Sequence, residues 1–189
     1  MGRSGCDCVI LAAGLSSRMG RWKMVLPYGN STVIETAVSR ALSVVRRVIL
    51  VTGFRAGEME TMFADHPEVI IRRNGDYRRG MFTSVSTGVS AVTSKRFFVL
   101  PGDMPGIFPE TYKELLRARQ APVILPEYRG KSGHPVLLDD TVGKVILNEH
   151  ADSSLEKVLA RFPSVRVPVN DENILYDIDT DEDYHARIV

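Results

Sequence analysis

The stretch Val9-Ile10-Leu11-Ala12-Ala13-Gly14-Leu15-Ser16-Ser17-Arg18-Met19-Gly20-Arg21-Trp22-Lys23 decides how the rest of the chain is read. Its first three residues are bulky and apolar and read as a buried strand. Small residues and two glycines follow. They let a ligand approach the backbone closely, so that amide groups can face an anion. Arg18 and Lys23 add positive charge on the same loop. The GxxxxGK[ST] spacing of a P-loop is absent, and so is GxGxxG. Taken alone, the loop is either an anion cradle or a solvated turn with surface charges.

Outward from this loop, short apolar runs alternate with amphipathic segments. Residues 9–11, 48–51, 69–71, 97–100 and 123–125 read as strands. Residues 32–44 carry Val33, Ala37, Ala41 and Val44 at helical spacing, and a second helical stretch runs through Met59 and Phe63. Residues 84–92 read as a third helix, with Thr83 or Ser84 as its N-cap. Pro109 opens a fourth, to residue 119, because proline at the first helical turn costs nothing. This alternation predicts a Rossmann-like α/β fold in three layers, a mostly parallel sheet with helices on both faces. Beyond residue 125 the pattern weakens. Residues 134–138 read as an antiparallel strand, 142–147 and 154–160 as short helices, 165–169 as an edge strand and 181–187 as a closing helix. No repeat or long linker divides the chain, so residues 1–189 are expected to form one domain. In such sheets ligands bind beyond the carboxyl ends of the strands. The loops after Leu11, Val51, Ile71, Leu100 and Leu125 are therefore the ones that matter.

Composition narrows the function classes. A chain of 189 residues with 44% hydrophobic and 25% charged residues suits one globular core. The formal net charge of +1 gives no overall field toward nucleic acid or membrane, so any phosphate-binding charge is local. No apolar run approaches the length of a bilayer span, and the first seven residues lack the apolar core of a secretion signal. Cys6 and Cys8 cannot complete a four-ligand zinc site without distant partners. A cytoplasmic location is expected.

Carboxylates stand at two informative places. Asp103, in Phe97-Phe98-Val99-Leu100-Pro101-Gly102-Asp103-Met104-Pro105, lies just past a buried strand where the crevice opens. Aspartate there suits magnesium as a hard oxygen ligand, or serves a turn through neighbouring amides. Near the C-terminus, the Ile178 spacer lets Asp177 and Asp179 point to one face of an extended segment. Asp181, Glu182 and Asp183 read as the acidic first turn of a helix. His134 is either a substrate-orienting residue or a turn residue. The other histidines have no metal-ligand spacing, and no nucleophilic triad is evident.

LAAGLSSRMGRWKMVLP, at residues 11–27, resembles the LAAGxSxRMGxxKxLLP signature of the molybdenum cofactor cytidylyltransferases and their relatives in the molybdopterin-guanine dinucleotide synthase-like NTP transferase family. The guanylyl branch carries LAGG and an aspartate–lysine pair, whereas LAAG with Trp22 before Lys23 is similar to the cytidylyl branch. Residues 74–88 resemble the family's NxxYxxGMxxSLxxGL. Gly102-Asp103-Met104-Pro105 resembles its magnesium aspartate, residues 128–138 its YxGxxGHPVLF, and residues 177–184 its DIDTPEDY ending, with Asp181 in place of proline. All stand in family order. The resemblance implies a nucleotide-diphospho-sugar transferase type of fold and CTP and molybdopterin as substrates, with Mg2+ as cofactor. It implies nucleotide contacts through the backbone of Leu11, Ala12, Ala13 and Gly14, which meets base and ribose, and at Gly80 and Ser84, with Arg18 and Lys23 on the triphosphate. Asp103 and Asp179 would hold the metal, with Asp177 in reserve, and Lys23, Arg18 and Asp103 would carry catalysis. Two other readings stay open. One is transfer to another phosphorylated acceptor, a sugar phosphate or phosphoalcohol. The other is a non-catalytic accessory protein that binds nucleotide or cofactor for a molybdenum hydroxylase, the one protein partner weighed.

Overall fold

The computed structural model describes residues 3–16 and 18–187. In chain order the elements are β1 (Ser4–Ala12), a hairpin of β2 (Pro27–Tyr28) and β3 (Ser31–Thr32), α1 (Val33–Leu42), β4 (Val45–Thr52), α2 (Ala56–Met62) and β5 (Val69–Arg73). There follow α3 (Met81–Val89), β6 (Arg96–Pro101), α4 (Pro109–Arg117), β7 (Val123–Tyr128), β8 (Lys131–Ser132) and β9 (Val136–Asp139). The chain closes with α5 (Asp140–Asn148), α6 (Leu155–Leu159), β10 (Ser164–Pro168) and α7 (Asp181–His185).

One sheet carries the architecture, in the order β10-β7-β9-β6-β1-β4-β5, with β8 paired to β7. β1 lies parallel to both β4 and β6, while β9 is antiparallel to β6 and β7. The antiparallel reading of residues 134–138 is thus right in direction, and β10 is the expected edge strand, parallel to β7.

β1 is central because both of its faces are covered. Cys8, Ile10 and Ala12 join the core formed with α1, α2 and α4, through Ile34, Val38, Met59, Tyr112 and Leu115. Val9 and Leu11 point the other way, to Phe82, Val85 and Val89 of α3 and to Val142 and Ile146 of α5. Strict alternation along the strand makes three layers from one continuous apolar run. Leu11 is level with Val51 of β4 and Pro101 of β6. The loops leaving these strands consequently open onto one rim.

Helix starts follow side-chain chemistry. Thr32 and Glu35 form a capping box on α1, and Thr180 and Asp183 form another on α7. α3 departs from expectation. It begins at Met81 after Gly80, three residues earlier than the periodicity suggests, and Thr83 and Ser84 lie inside its first turn. Neither acts as N-cap because the buried Asn74 side chain captures both hydroxyls. Gly80 makes the entry turn at φ +129°, a backbone region that side chains disfavour. Among the described residues, no helix is long and apolar enough to cross a membrane.

At the end of β1 remote from the rim, Asp7 is fully buried. Arg47 grips it with two nitrogens, at 3.1 and 2.8 Å, and the Thr93 and Ser94 amides donate to the same carboxylate. Burial works against its charge, but these donors prevail and hold its pKa below the ordinary aspartate value. The stabilisation is therefore present at neutral pH and is lost as pH falls through the depressed value. Asp7→Ala should cost about 3 kcal/mol at pH 7 by leaving a partly buried guanidinium without its counter-charge, lowering Tm by roughly 6–12 °C. Thermal unfolding followed by circular dichroism checks this. An unchanged Tm would mean the pair contributes nothing net.

Candidate active site

The rim holds a cleft of about 560 Å³ whose lining includes Leu11, Ala13, Gly14, Arg18, Lys23 and Tyr77 on one side. Gly80, Met81, Ser84, Pro101, Asp103, Asp177 and Asp179 also line it. Of the positions expected to contact nucleotide, Ala12 alone is absent from this lining. Its side chain is fully buried in the core beneath. The Leu11 carbonyl accepts from Gly102 N at 2.9 Å and that of Ala13 from Phe54 N at 3.2 Å, which fixes the loop base to its neighbours. Among the described residues, no protein acceptor is recorded for the Gly14 or Leu15 amide. Amides in that state are suited to an anion.

The electrostatic centre is a clasp. Lys23 Nζ lies 2.5 Å from Asp103 Oδ2 and 2.9 Å from Asp179 Oδ1, and Arg18 Nη1 lies 2.5 Å from Asp179 Oδ2. Asp103, Asp177 and Asp179 each offer a carboxylate oxygen within 4.8 Å of the others. Burial tends to discharge Lys23, but Asp103 and Asp179 outweigh it and hold its pKa above the usual lysine value. Burial likewise opposes the charge of Asp179, yet Lys23 and Arg18 hold it below the ordinary aspartate value. Asp177 differs: partial burial, then the charges of Asp103 and Asp179, push its carboxyl up. Asp103 Oδ1 is buried without a hydrogen-bond partner. A buried carboxylate oxygen left unpaired beside two more carboxylates fits a hard divalent cation.

Chain segments far apart in sequence are pinned to make this geometry. Ile178 N donates to Asp103 O at 2.9 Å, placing Asp177 and Asp179 on either side of a fixed point. His134 N donates to Ile174 O at 2.9 Å, just upstream. A Cβ on Gly133 would stand 2.0 Å from that same carbonyl oxygen, so the contact requires glycine. Farther along, Arg21 pairs with Asp181 at 2.6 Å and lies over the Tyr184 ring. Asp181, which departs from the family's proline, thereby ties α7 to the first loop. Exposed on both sides, that pair contributes at most about 1 kcal/mol.

His134 lines a second cavity, of about 790 Å³, with Leu11, Met81 and Pro101 common to both. Val99, Val123, Leu125, Leu155 and Leu159 give it a mainly apolar wall. Burial lowers the His134 pKa despite the Val99 carbonyl and the nearby Asp177 charge, so the ring is neutral at pH 7. Sequence reasoning missed this cavity, Tyr77 and Met81 in the cleft, and the need for glycine at 133. The YxGxxGHPVLF match pointed toward Gly133, but a loop glycine carries no sign of what approaches it.

This fold and site define a nucleotidyltransferase, and the chain belongs to the MobA-like NTP transferase domain family, which matches residues 8–167. It is 35% identical over 181 residues to the molybdenum cofactor cytidylyltransferase of Escherichia coli K12, covering 96% of this chain and 94% of that protein. A nucleotidyl transferase from Methanothermobacter thermautotrophicus superposes with a TM-score of 0.84 at 26% identity, over 96% and 95% of the two chains. Rv0371c of Mycobacterium tuberculosis, solved in complex with manganese, shares the fold at a TM-score of 0.79 and 23% identity, with 98% of each chain covered.

Because Gly133 meets Ile174 backbone to backbone, Gly133→Ala must push the 174–179 segment away and open the carboxylate cluster. Manganese titration followed by electron paramagnetic resonance should show binding weakened about 10-fold or more, as for other changes behind metal ligands. Unaltered manganese affinity would show that this turn does not set the carboxylate spacing.

Proposed function

We propose that the protein is a CTP:molybdopterin cytidylyltransferase that uses Mg2+ and releases pyrophosphate. The observation that carries this reading is the convergence of Asp103, Asp177 and Asp179 with Lys23 and Arg18 at the floor of one cleft. That set matches what a triphosphate needs, a divalent cation with two protein cations beside it. The likeness to the Escherichia coli cytidylyltransferase supports CTP and molybdopterin as the substrate pair.

In this reading the triphosphate enters past Gly14, and its anionic oxygens meet the Gly14 and Leu15 amides. Asp103 and Asp179 would hold the cation, with Asp177 beside them as the reserve ligand. Bound there, Mg2+ would supply Lewis-acid neutralisation of charge on the phosphates. Lys23 and Arg18 then exchange their carboxylate partners for phosphate oxygens, Arg18 with a fork suited to bidentate contact. A terminal phosphate oxygen of the acceptor attacks the α-phosphorus. A new P–O bond forms, the bond from the α-phosphorus to its bridging oxygen breaks, and pyrophosphate leaves with the electron pair. The attacking phosphate is already ionised at pH 7, so positioning and charge stabilisation carry the rate.

The second cavity gives an acceptor room beside the nucleotide cleft, with an apolar wall for a flat ring and Ser132, His134, Ser153 and Arg166 in its lining for polar groups. Retention of the full charged set in the cleft favours catalysis over an accessory role. A molybdenum hydroxylase is then the class of protein that would receive the product.

Two outcomes are expected. Pyrophosphate release with molybdopterin present should be faster with CTP than with GTP by 10-fold or more, because polar groups that read one base go unpaired with another. Equal or reversed rates would remove the cytidylyl assignment. Asp103→Asn should keep the fold, by circular dichroism, while turnover falls by orders of magnitude, since the amide retains an oxygen but loses the charge that holds the cation. Near-normal turnover would make Asp103 a turn residue only.

A further inference from the structure

Asn74 follows the end of β5 and is buried, with 4% of its surface exposed. Its backbone amide donates to Thr52 O, which fixes it against the end of β4. Its side-chain oxygen accepts from the Asp76 amide at 2.9 Å. A backbone N–H can only donate, so this contact settles which end of the side-chain amide is which. The NH2 end must then face α3, and it donates to Thr83 Oγ1 at 2.8 Å and Ser84 Oγ at 2.9 Å.

The two hydroxyls differ in what remains to them. Thr83 spends its proton inside the protein, on the Gly80 carbonyl at 2.8 Å, with Asp76 O at 3.2 Å. Ser84 Oγ accepts from Asn74, and among the described residues its proton has no recorded acceptor. Ser84 also lines the nucleotide cleft, beside Gly80, Met81 and Leu11. With Asn74 on one lone pair, the Ser84 proton and the second lone pair of its oxygen remain for the cleft.

We infer that Asn74 is a positioning residue: its donated hydrogen bond holds the Ser84 hydroxyl so that the proton is available to the nucleotide in the cleft. The group that the proton meets is a hydrogen-bond acceptor on the base, such as a ring carbonyl oxygen or an unprotonated ring nitrogen. This rests on the cleft being the nucleotide site. It goes beyond that reading in assigning the direction of one hydrogen bond and the buried residue that sets it.

The test is a double-mutant cycle read by calorimetric titration of CTP with Mg2+, with thermal unfolding of each variant. Ser84→Ala removes the donor and should weaken binding about 10-fold with Tm nearly unchanged. Asn74→Asp is nearly isosteric but accepts where asparagine donated, so it draws the Ser84 proton inward and should weaken binding at least as much. The double variant should bind no more than about twofold worse than Asn74→Asp alone, since both changes remove the same hydrogen bond. Ser84→Thr keeps the hydroxyl and should restore most of the affinity. If Asn74→Asp does not fold, the contrast between Ser84→Ala and Ser84→Thr decides. Wild-type affinity in Ser84→Ala, equal weakening by alanine and threonine, or fully additive losses in the cycle would overturn the inference while leaving the nucleotide site intact. Wild-type protein that binds no nucleoside triphosphate would overturn the proposed function itself, and the inference with it.

Discussion

One ammonium group holds the site together. Lys23 leaves the first loop and inserts between Asp103, which follows β6, and Asp179, which precedes α7. Without it, three carboxylates within 4.8 Å of one another would repel across a partly dry cleft. With it, segments separated by roughly half the chain close around a single charge. Arg18, largely exposed, reinforces the arrangement from the solvent side.

That constraint explains why the protein spends so many contacts on the 171–179 segment. Asp171 is buried and accepts from Phe108 N and Thr111 Oγ1, fixing the segment beside the start of α4. Gly133 and His134 hold Ile174, and Asp103 O holds Ile178. These contacts are mostly backbone or buried polar groups, which lose more when broken than flexible surface pairs do. Arg18 reaches the site from the exposed side of the loop, Lys23 from beneath, and the carboxylates are tied to the segments that carry them. Such an arrangement suits a ligand that brings both a divalent cation and negative charge, because each protein charge finds a new partner when it lets go.

Much of this was legible in the sequence, for identifiable reasons. Buried parallel strands need continuous apolar runs, so residues 9–11, 48–51 and 97–100 declared themselves, and the crevice position followed from them. Asp103 was legible because it directly follows such a strand. The Lys23 clasp was not, since a loop lysine carries no mark of a carboxylate 156 residues away. The start of α3 was misplaced because local propensity treats Thr83 and Ser84 as caps, while the deciding partner is Asn74, buried and 9 and 10 residues earlier. The period of the strand turns the Ala12 side chain into the core, which leaves only its backbone for the nucleotide contact that LAAG implies. Asp181 stands where the family pattern has proline, and only the folded chain brings Arg21 to it.

The central claim is that Lys23 passes from the carboxylates to the triphosphate as charge builds up on the leaving pyrophosphate. Steady-state kinetics of Lys23→Met with CTP and molybdopterin test it most directly. An interaction stronger in the transition state than in the ground state appears in kcat more than in KM. The account predicts a fall in kcat of about 10²–10³-fold, the size typical of a preorganised electrostatic group, with a much smaller change in KM. A loss confined to KM, or neither constant moving by more than a small factor, would contradict it.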